Sequence, residues 1–512
     1  MQSDRKLHVG NSILRFVFVG ISLLLQVGWI LMTILVLNES VPWIDLVTRI
    51  LSVAVVLQIN SRHTDAAYKI PWIMLIIALP VMGLSLYLMI GIFGDLGSMG
   101  KRLKAMRAQT RPQVSAPSGS MDNLKDSALP GSGLAGYLHR ICSCPVYENT
   151  GVRYYGEAAD AFEQLKADLE KAESFIFMEY FIVSGDSAFR EIADILIRKV
   201  RQGVDVRFMY DDVGSVGYVN MIFAKRLADA GIHCMVFNPA LPFLNVFMNH
   251  RDHRKITVID GKVGYTGGFN LADEYFGRKI TYGRWKDTGI RLEGEAVGAL
   301  TAAFLEMWNA CSRKPEDTSP FLGVRHCVPS DGFVQPYEDD PMGTERIAEN
   351  VYLDLIRSAR KSLYVITPYL IITDEMANAL GFAAKRGVDV RLITPGVPDK
   401  KIIYAVTRSY YGGLAAQGVR IFEYTPGFCH AKQMVCDGKT ASIGTSNLDY
   451  RSLHLHFENN VLLYGCEAVQ DMNRDFEVLF RQCEEVTEMY RSGRSRVLRL
   501  GQYILRLFAP LL

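Results

Sequence analysis

The stretch Arg201-Gln-Gly-Val-Asp-Val-Arg-Phe-Met209 decides the fold, because the chain repeats it as Lys385-Arg-Gly-Val-Asp-Val-Arg-Leu-Ile393. In each copy a helical pattern ends in basic residues and a Gly, and a Val-rich strand pattern follows. Working outward, Phe175–Phe181 and Ser362–Tyr369 read as the preceding strands. Ala230-Gly-Ile-His233 and Gln417-Gly-Val-Arg420 repeat the next helix-to-strand joint. Strand–helix alternation predicts an α/β fold with a largely parallel sheet and helices on its faces. Two copies predict two such domains, 151–311 and 344–490, related by a pseudo-twofold axis. The Pro/Gly/Asp-rich residues 312–343 read as the connector.

Each half carries a second repeat. His253, Lys255 and Asp260 are followed by Gly267 and Asn270; His430, Lys432 and Asp437 are followed at the same distances by Gly444 and Asn447. Lys255-Ile-Thr-Val-Ile259 reads as a strand. Positions i and i+2 share a strand face, so the imidazole and the ammonium stand side by side. Asp260 lies seven positions after His253 and by parity points to the other face. Asp260 and Asp437 therefore read as structural groups bound to backbone or to a buried cation. The glycines open a tight turn, and Asn270 and Asn447 then offer amide N–H groups to the site of the lysines.

If both halves meet at the axis, one cleft holds two His, two Lys and two Asn. Such a cleft suits a phosphate or phosphodiester. Two imidazoles suit covalent catalysis, one attacking phosphorus and the other protonating the leaving alkoxide. Glu458 is the candidate orienting carboxylate for His430, and Asp287 the candidate for His253. An ordinary ion-paired acid is the plain alternative for both. No carboxylate cluster adjoins the motif and no His-x-x-x-His occurs, so no metal is expected, and no cofactor.

Composition bounds the rest. The 512 residues carry a net charge of +2, which disfavours a dedicated nucleic-acid binder. Nine Cys without C-x-x-C pairs read as reduced thiols. Phe16–Leu37 and Ile70–Phe93 are uncharged apolar runs of spanning length. Trp43–Ile59 is a shorter third run with Asp45 and Arg49 near its start. Residues 1–100 thus read as a membrane anchor with two crossings, or three. The basic Lys101, Arg102, Lys104, Arg107 and Arg111 place the remainder on the cytoplasmic side. Residues 101–150 read as a basic, flexible linker. The apolar insert between Pro239 and His253 reads as a lip for lipid chains or as a satellite core. Residues 491–512 read as a basic amphipathic helix lying on an anionic membrane, or docked on the core.

The doubled motif resembles the signature of the phospholipase D superfamily. Ala67-Tyr-Lys-Ile-Pro-Trp72, Gly267–Tyr275, Gln335-Pro-Tyr337, Glu349–Asp354 and Thr367-Pro-Tyr369 are similar to segments of bacterial cardiolipin synthases over nearly the whole chain. The resemblance implies two phospholipase D-like α/β/α sandwich domains preceded by transmembrane helices, at a bacterial cell membrane. It implies transfer of a phosphatidyl group between two phosphatidylglycerol molecules, giving cardiolipin and glycerol through a phosphohistidine. The implied catalytic set is His253, Lys255, Asp260, His430, Lys432 and Asp437, with His253 as nucleophile and His430 as acid and then base. The chain departs from the family at His456, where Asn is common, and around Cys142 and Cys144. The competing readings are a hydrolase or a transferase using another head group such as phosphatidylethanolamine, a nuclease, and an inactive membrane scaffold. The sequence leaves the oligomeric state open.

Overall fold

The computed structural model describes residues 42–62, 66–88, 97–114, 119–220, 222–240, 249–343 and 345–492, with isolated residues between 17 and 36 and between 501 and 509. The apolar insert at 241–248 lies outside the described residues, as do most of 491–512 and parts of Phe16–Leu37.

Two mixed sheets form the body. The first contains β1 (Thr150–Tyr155), β2 (Phe175–Tyr180), β3 (Asp205–Asp211), β4 (His233–Phe237), β6 (Lys255–Ile259), β7 (Val263–Gly267) and β9 (Gly289–Gly294), in the order β1-β9-β7-β6-β2-β3-β4. Two short strands, β5 (Arg251–Asp252) and β8 (Arg284–Lys286), leave this sheet for the other half. The second sheet runs β10 (Phe333–Asp339), β17 (His456–Tyr464), β16 (Thr440–Gly444), β15 (Gln433–Cys436), β11 (Ser362–Ile366), β12 (Asp389–Pro395), β13 (Arg420–Tyr424) and β18 (Cys483–Glu485). Short β14 (Gly427–Cys429) crosses over in return.

The expectation of largely parallel sheets needs correcting. Apart from the short crossing strands, only β2-β3-β4 and β11-β12-β13 pair in parallel; the motif strands β6-β7-β9-β1 and β15-β16-β17-β10 are antiparallel. The reason is local. Asp260-Gly261 and Asp437-Gly438 both take positive φ, which closes a hairpin directly after each motif strand.

Strand alternation sorts the cores. Phe175 and Phe177 of β2 face one way, with Tyr364 and Ile366 of β11, into a core shared by both sheets and by the helices Val297–Cys311 and Glu467–Gln482. Ile176 and Met178 face outward onto the helices Ala158–Leu169 and Ser187–Arg201. Leu363 and Val365 do the same beneath Ile347–Ser358 and Asp374–Lys385. Helices on the outer faces with an apolar seam between the sheets fix the two halves against each other.

Residues 97–142 differ from the expected flexible linker. They form helices Gly97–Thr110, Ser120–Asp126 and Ser132–Cys142. Leu103, Leu124, Leu134 and Leu138 are buried against the cores, which holds these short helices in place despite their weak periodicity. Arg111 donates to Glu306 at 2.7 and 2.8 Å and also pairs with Glu338, while Arg107 pairs with Asp340. Two cations of the basic cluster are thus bound to acids of the catalytic body. The connector at 312–343 likewise contributes β10, which pairs along β17.

No helix among the described residues is long and apolar enough to cross a membrane. Within Ile70–Phe93, helix Ala66–Ala78 stops before Leu79 and a second begins at Pro80. Pro80 has no N–H to continue the ladder, which breaks the run. In the C-terminal segment, Leu505 and Ala509 lie against the second core and Arg506 donates to Asp374 at 3.0 Å. Those described residues are docked on the core.

Candidate active site

The crossing strands build the site. β5 pairs in parallel with β17, and His253 follows it directly. β14 pairs in parallel with β8, and His430 follows that. The backbone N–H of His253 donates to the Phe457 carbonyl at 2.9 Å, and that of His430 to the Lys286 carbonyl at 2.7 Å. Each histidine is therefore held by the opposite half, and the next residue of that half is a carboxylate.

This overturns the expected pairing. Glu458 lies 3.0 Å from Nδ1 of His253, and Asp287 lies 2.7 Å from Nδ1 of His430. The physical reason is the strand exchange, which carries each motif away from the carboxylate of its own half. Thr445 donates to Glu458, and Asp287 accepts from its neighbouring Thr288 N–H at 2.9 Å. With Nδ1 engaged, Nε2 is the nitrogen left for chemistry on both rings.

His253, His430, Asn270 and Asn447 line one cavity of about 730 Å³ between the halves. Phe181 packs on His253 with ring centroids 4.9 Å apart; Tyr275 and Trp285 pack on His430 at 5.3 and 5.6 Å. These rings, and His456 beside His253, were not singled out as site residues from sequence. The signal was present: Trp285 and His456 each stand two positions before an orienting carboxylate.

The lysines are turned back onto their own motifs. Nζ of Lys255 donates to the His253 carbonyl at 2.5 Å, and Nζ of Lys432 lies 2.8 Å from His430 Nδ1. Asn270 is also committed, its Oδ1 accepting from Ile182 N–H at 3.0 Å and its amide donating to Tyr275 Oη at 2.9 Å. Asn447 Oδ1 is buried with no hydrogen-bond partner among the described residues.

Burial dominates the electrostatics. It holds His253 well below its ordinary value, helped by Lys255 and His456, and lowers His430 to about 4 with help from Lys432. Burial lowers Lys255 to about 7 and Lys432 to about 8 against the pull of Glu458 and Asp287. It pushes Glu458 well above the carboxylate range, with Lys255 opposing. An entering phosphodiester anion reverses this balance by favouring the charged form of each cation.

Asp260 and Asp437 lie away from the cavity. Asp260 accepts from the N–H groups of Glu173, Ser174 and Phe175 at 2.9, 2.7 and 2.9 Å. Asp437 accepts in the same way from Arg360, Lys361 and Ser362. Each ties the hairpin turn to the start of β2 or β11. Removing one strands several donors, so Asp260→Ala should lower unfolding stability by about 3–5 kcal/mol. Denaturant melts check this, with kcat per folded molecule changing far less than stability.

Comparison with known proteins agrees with this architecture. A family model described as cardiolipin synthase, phospholipase D-like domain, matches residues 165–308 and 352–480. A second, described as phospholipase D-nuclease N-terminal, matches 50–91. An uncharacterized protein of Streptococcus mutans is 41% identical over 460 residues, covering 89% of this chain and 99% of that one. A cardiolipin synthase of Geobacillus kaustophilus is 36% identical over 471 residues, covering 90% and 92%. One from Halalkalibacterium halodurans is 34% identical over 470 residues, with the same coverage. The crystal structure of Haemophilus influenzae phosphatidylserine synthase shares the fold at a TM-score of 0.54 and 15% identity, covering 70% of this chain and 93% of that one. With both halves matched and such identity along nine-tenths of its length, the chain belongs to the phospholipase D-like cardiolipin synthase family.

Proposed function

We propose that this protein is a cardiolipin synthase, a phosphatidyltransferase that joins two phosphatidylglycerol molecules into cardiolipin and releases glycerol. The observation that carries the reading is the single cavity holding two histidines, each oriented by a carboxylate of the other half. Nε2 of His253 attacks the donor phosphorus, and the phosphorus–glycerol bond breaks. The departing glycerol oxygen takes the proton of His430. His430 then removes the proton from the terminal hydroxyl of the acceptor lipid. That oxygen attacks phosphorus, and the bond to His253 breaks. The lysines hold the non-bridging oxygens once the anion draws them into the cleft. The apolar segments before residue 97 keep the enzyme at the membrane that contains its substrates.

The reconstituted protein given only phosphatidylglycerol should yield cardiolipin and glycerol in equal amounts. Phosphatidic acid as the main product would instead favour a hydrolase, and a requirement for phosphatidylethanolamine a different donor.

The pH profile follows from the lysines. In the free enzyme they discharge as pH rises through about 7 and about 8, so anion capture weakens there. kcat/KM should therefore fall between roughly pH 7 and 9, while kcat holds to higher pH because bound phosphodiester retains those protons. Initial rates across this range check the sign; a flat kcat/KM to pH 10 contradicts it.

A further inference from the structure

His456 is the residue that the proposed reaction leaves unused. It is 8% exposed and lines the cavity, yet neither ring nitrogen has a hydrogen-bond partner among the described residues. Its ring lies 5.5 Å from that of His253, and its Nδ1 is 3.8 Å from Glu458 Oε1. One donor atom from each of His253, His456 and Glu458 falls within 4.8 Å of the others.

We propose that His253, His456 and Glu458 form a site for a borderline divalent cation such as zinc, and that its occupancy inhibits the enzyme. Two imidazoles and a carboxylate are a common zinc set with a fourth position left open. Bonds of about 2.0–2.2 Å place tetrahedral donors roughly 3.3 Å apart. The 3.0 Å and 3.8 Å separations to Glu458 already suit this, and rotation of the His456 ring closes the remaining gap. The His/His/Glu set disfavours magnesium and calcium, which prefer oxygen donors. Glu458 and Phe457 bind the His253 segment from the other half, and Phe181 packs on both rings, so the ligands are held before metal arrives.

Inhibition rests on the reading of His253 as nucleophile. A metal takes the lone pair of His253 Nδ1, and the ring's hydrogen then sits on Nε2, the atom that would attack phosphorus. The other half has no equivalent, because Trp285 stands where His456 does, two residues before the carboxylate. The site was invisible in the sequence because His253 and Glu458 are 205 positions apart.

The test uses the full chain in detergent micelles after alkylation of accessible thiols. Equilibrium dialysis followed by elemental analysis should find one zinc per chain, undisplaced by excess magnesium. His456→Asn should weaken zinc binding at least about ten-fold, and His454→Asn should not. Zinc should inhibit transfer reversibly, relieved by a chelator, and His456→Asn should need about ten-fold more zinc relative to its own uninhibited rate. Should His456→Asn misfold, cobalt in the parent protein must show the intense visible bands of four-coordinate Co²⁺. Absence of stoichiometric zinc, unchanged binding by His456→Asn, or weak six-coordinate cobalt bands would overturn the site. Stoichiometric zinc without inhibition would overturn its inhibitory role. Because binding is read without substrate, failure of the proposed reaction leaves the metal result interpretable.

Discussion

With a nitrophenyl phosphodiester as donor, the His430→Ala variant should release one equivalent of nitrophenolate per chain and stop, whereas His253→Ala should release none. Nitrophenolate is a stable anion and departs without a proton donor, so the first step needs only the nucleophile. The second step needs a base to activate the incoming hydroxyl, and without His430 the phosphohistidine persists. With phosphatidylglycerol as donor, both variants should lose transfer by about 10⁴-fold or more, since groups acting as one unit fail together. A burst from His253→Ala with silence from His430→Ala would exchange the two roles. Nitrophenolate release by neither variant, with unimpaired lipid transfer, would remove the covalent route altogether. The geometry motivates the test because each ring has its Nδ1 tied to a carboxylate and its Nε2 left for phosphorus.

The second large effect is expected at Gly268, where no ionisable group is altered. A methyl group there would lie 2.0 Å from Asp287 Oδ1 and 3.0 Å from the His430 carbonyl. Neither can retreat easily: Asp287 is fully buried, and the backbone of His430 is bonded to that of Lys286. Gly268→Ala should therefore displace the carboxylate from His430 and lower kcat by about 10²–10³-fold. Overpacking should also cost about 1–3 kcal/mol of stability. The equivalent position in the second half, one residue after Gly444, is Thr445, whose hydroxyl donates to Glu458. Thr445→Ala opens space there and removes the hydroxyl's bonds to Glu458 and to the Asn459 backbone without pushing the carboxylate aside, so its kcat should fall only about ten-fold. Rates and melting curves on both variants check the contrast. Equal losses at the two positions would show that the glycine is not reserving space for Asp287.

Much of the fold was legible where the signal is local. The Gly-Val-Asp-Val-Arg repeats mark two parallel joints, and β3 and β12 lie where the pattern puts them. The antiparallel half of each sheet was missed, although Ile259-Asp-Gly-Lys262 and Cys436-Asp-Gly-Lys439 carry a hairpin signal. The helices between 97 and 142 were missed because each buries only a few residues, and the first is held by Arg107 and Arg111 on acids far along the chain. For the C-terminal segment the sequence left membrane contact and docking on the core both open, and the described residues take the second. At the candidate site, the doubled spacing identified which side chains to bring together. It did not reveal which carboxylate serves which imidazole, because strand parity is a property of one strand and partner choice is set by docking. His456 shows the same limit: its place two residues before Glu458 marks it for the site but says nothing of its neighbour across the cleft.

The exchange of β5 and β14 bears on when the chain becomes active during its synthesis. As the first half leaves the ribosome it contains His253 and Asp287, but Glu458 and His430 have not been made. His253 then lacks both the strand that positions it and the carboxylate that orients it. If His253 is the nucleophile, as proposed, a half-finished polypeptide lacks the groups that orient it and should not attack phospholipids. On that reading activity starts only once β17, which follows β14 and carries Glu458, has been laid down, so synthesis of the second half acts as its own safety catch.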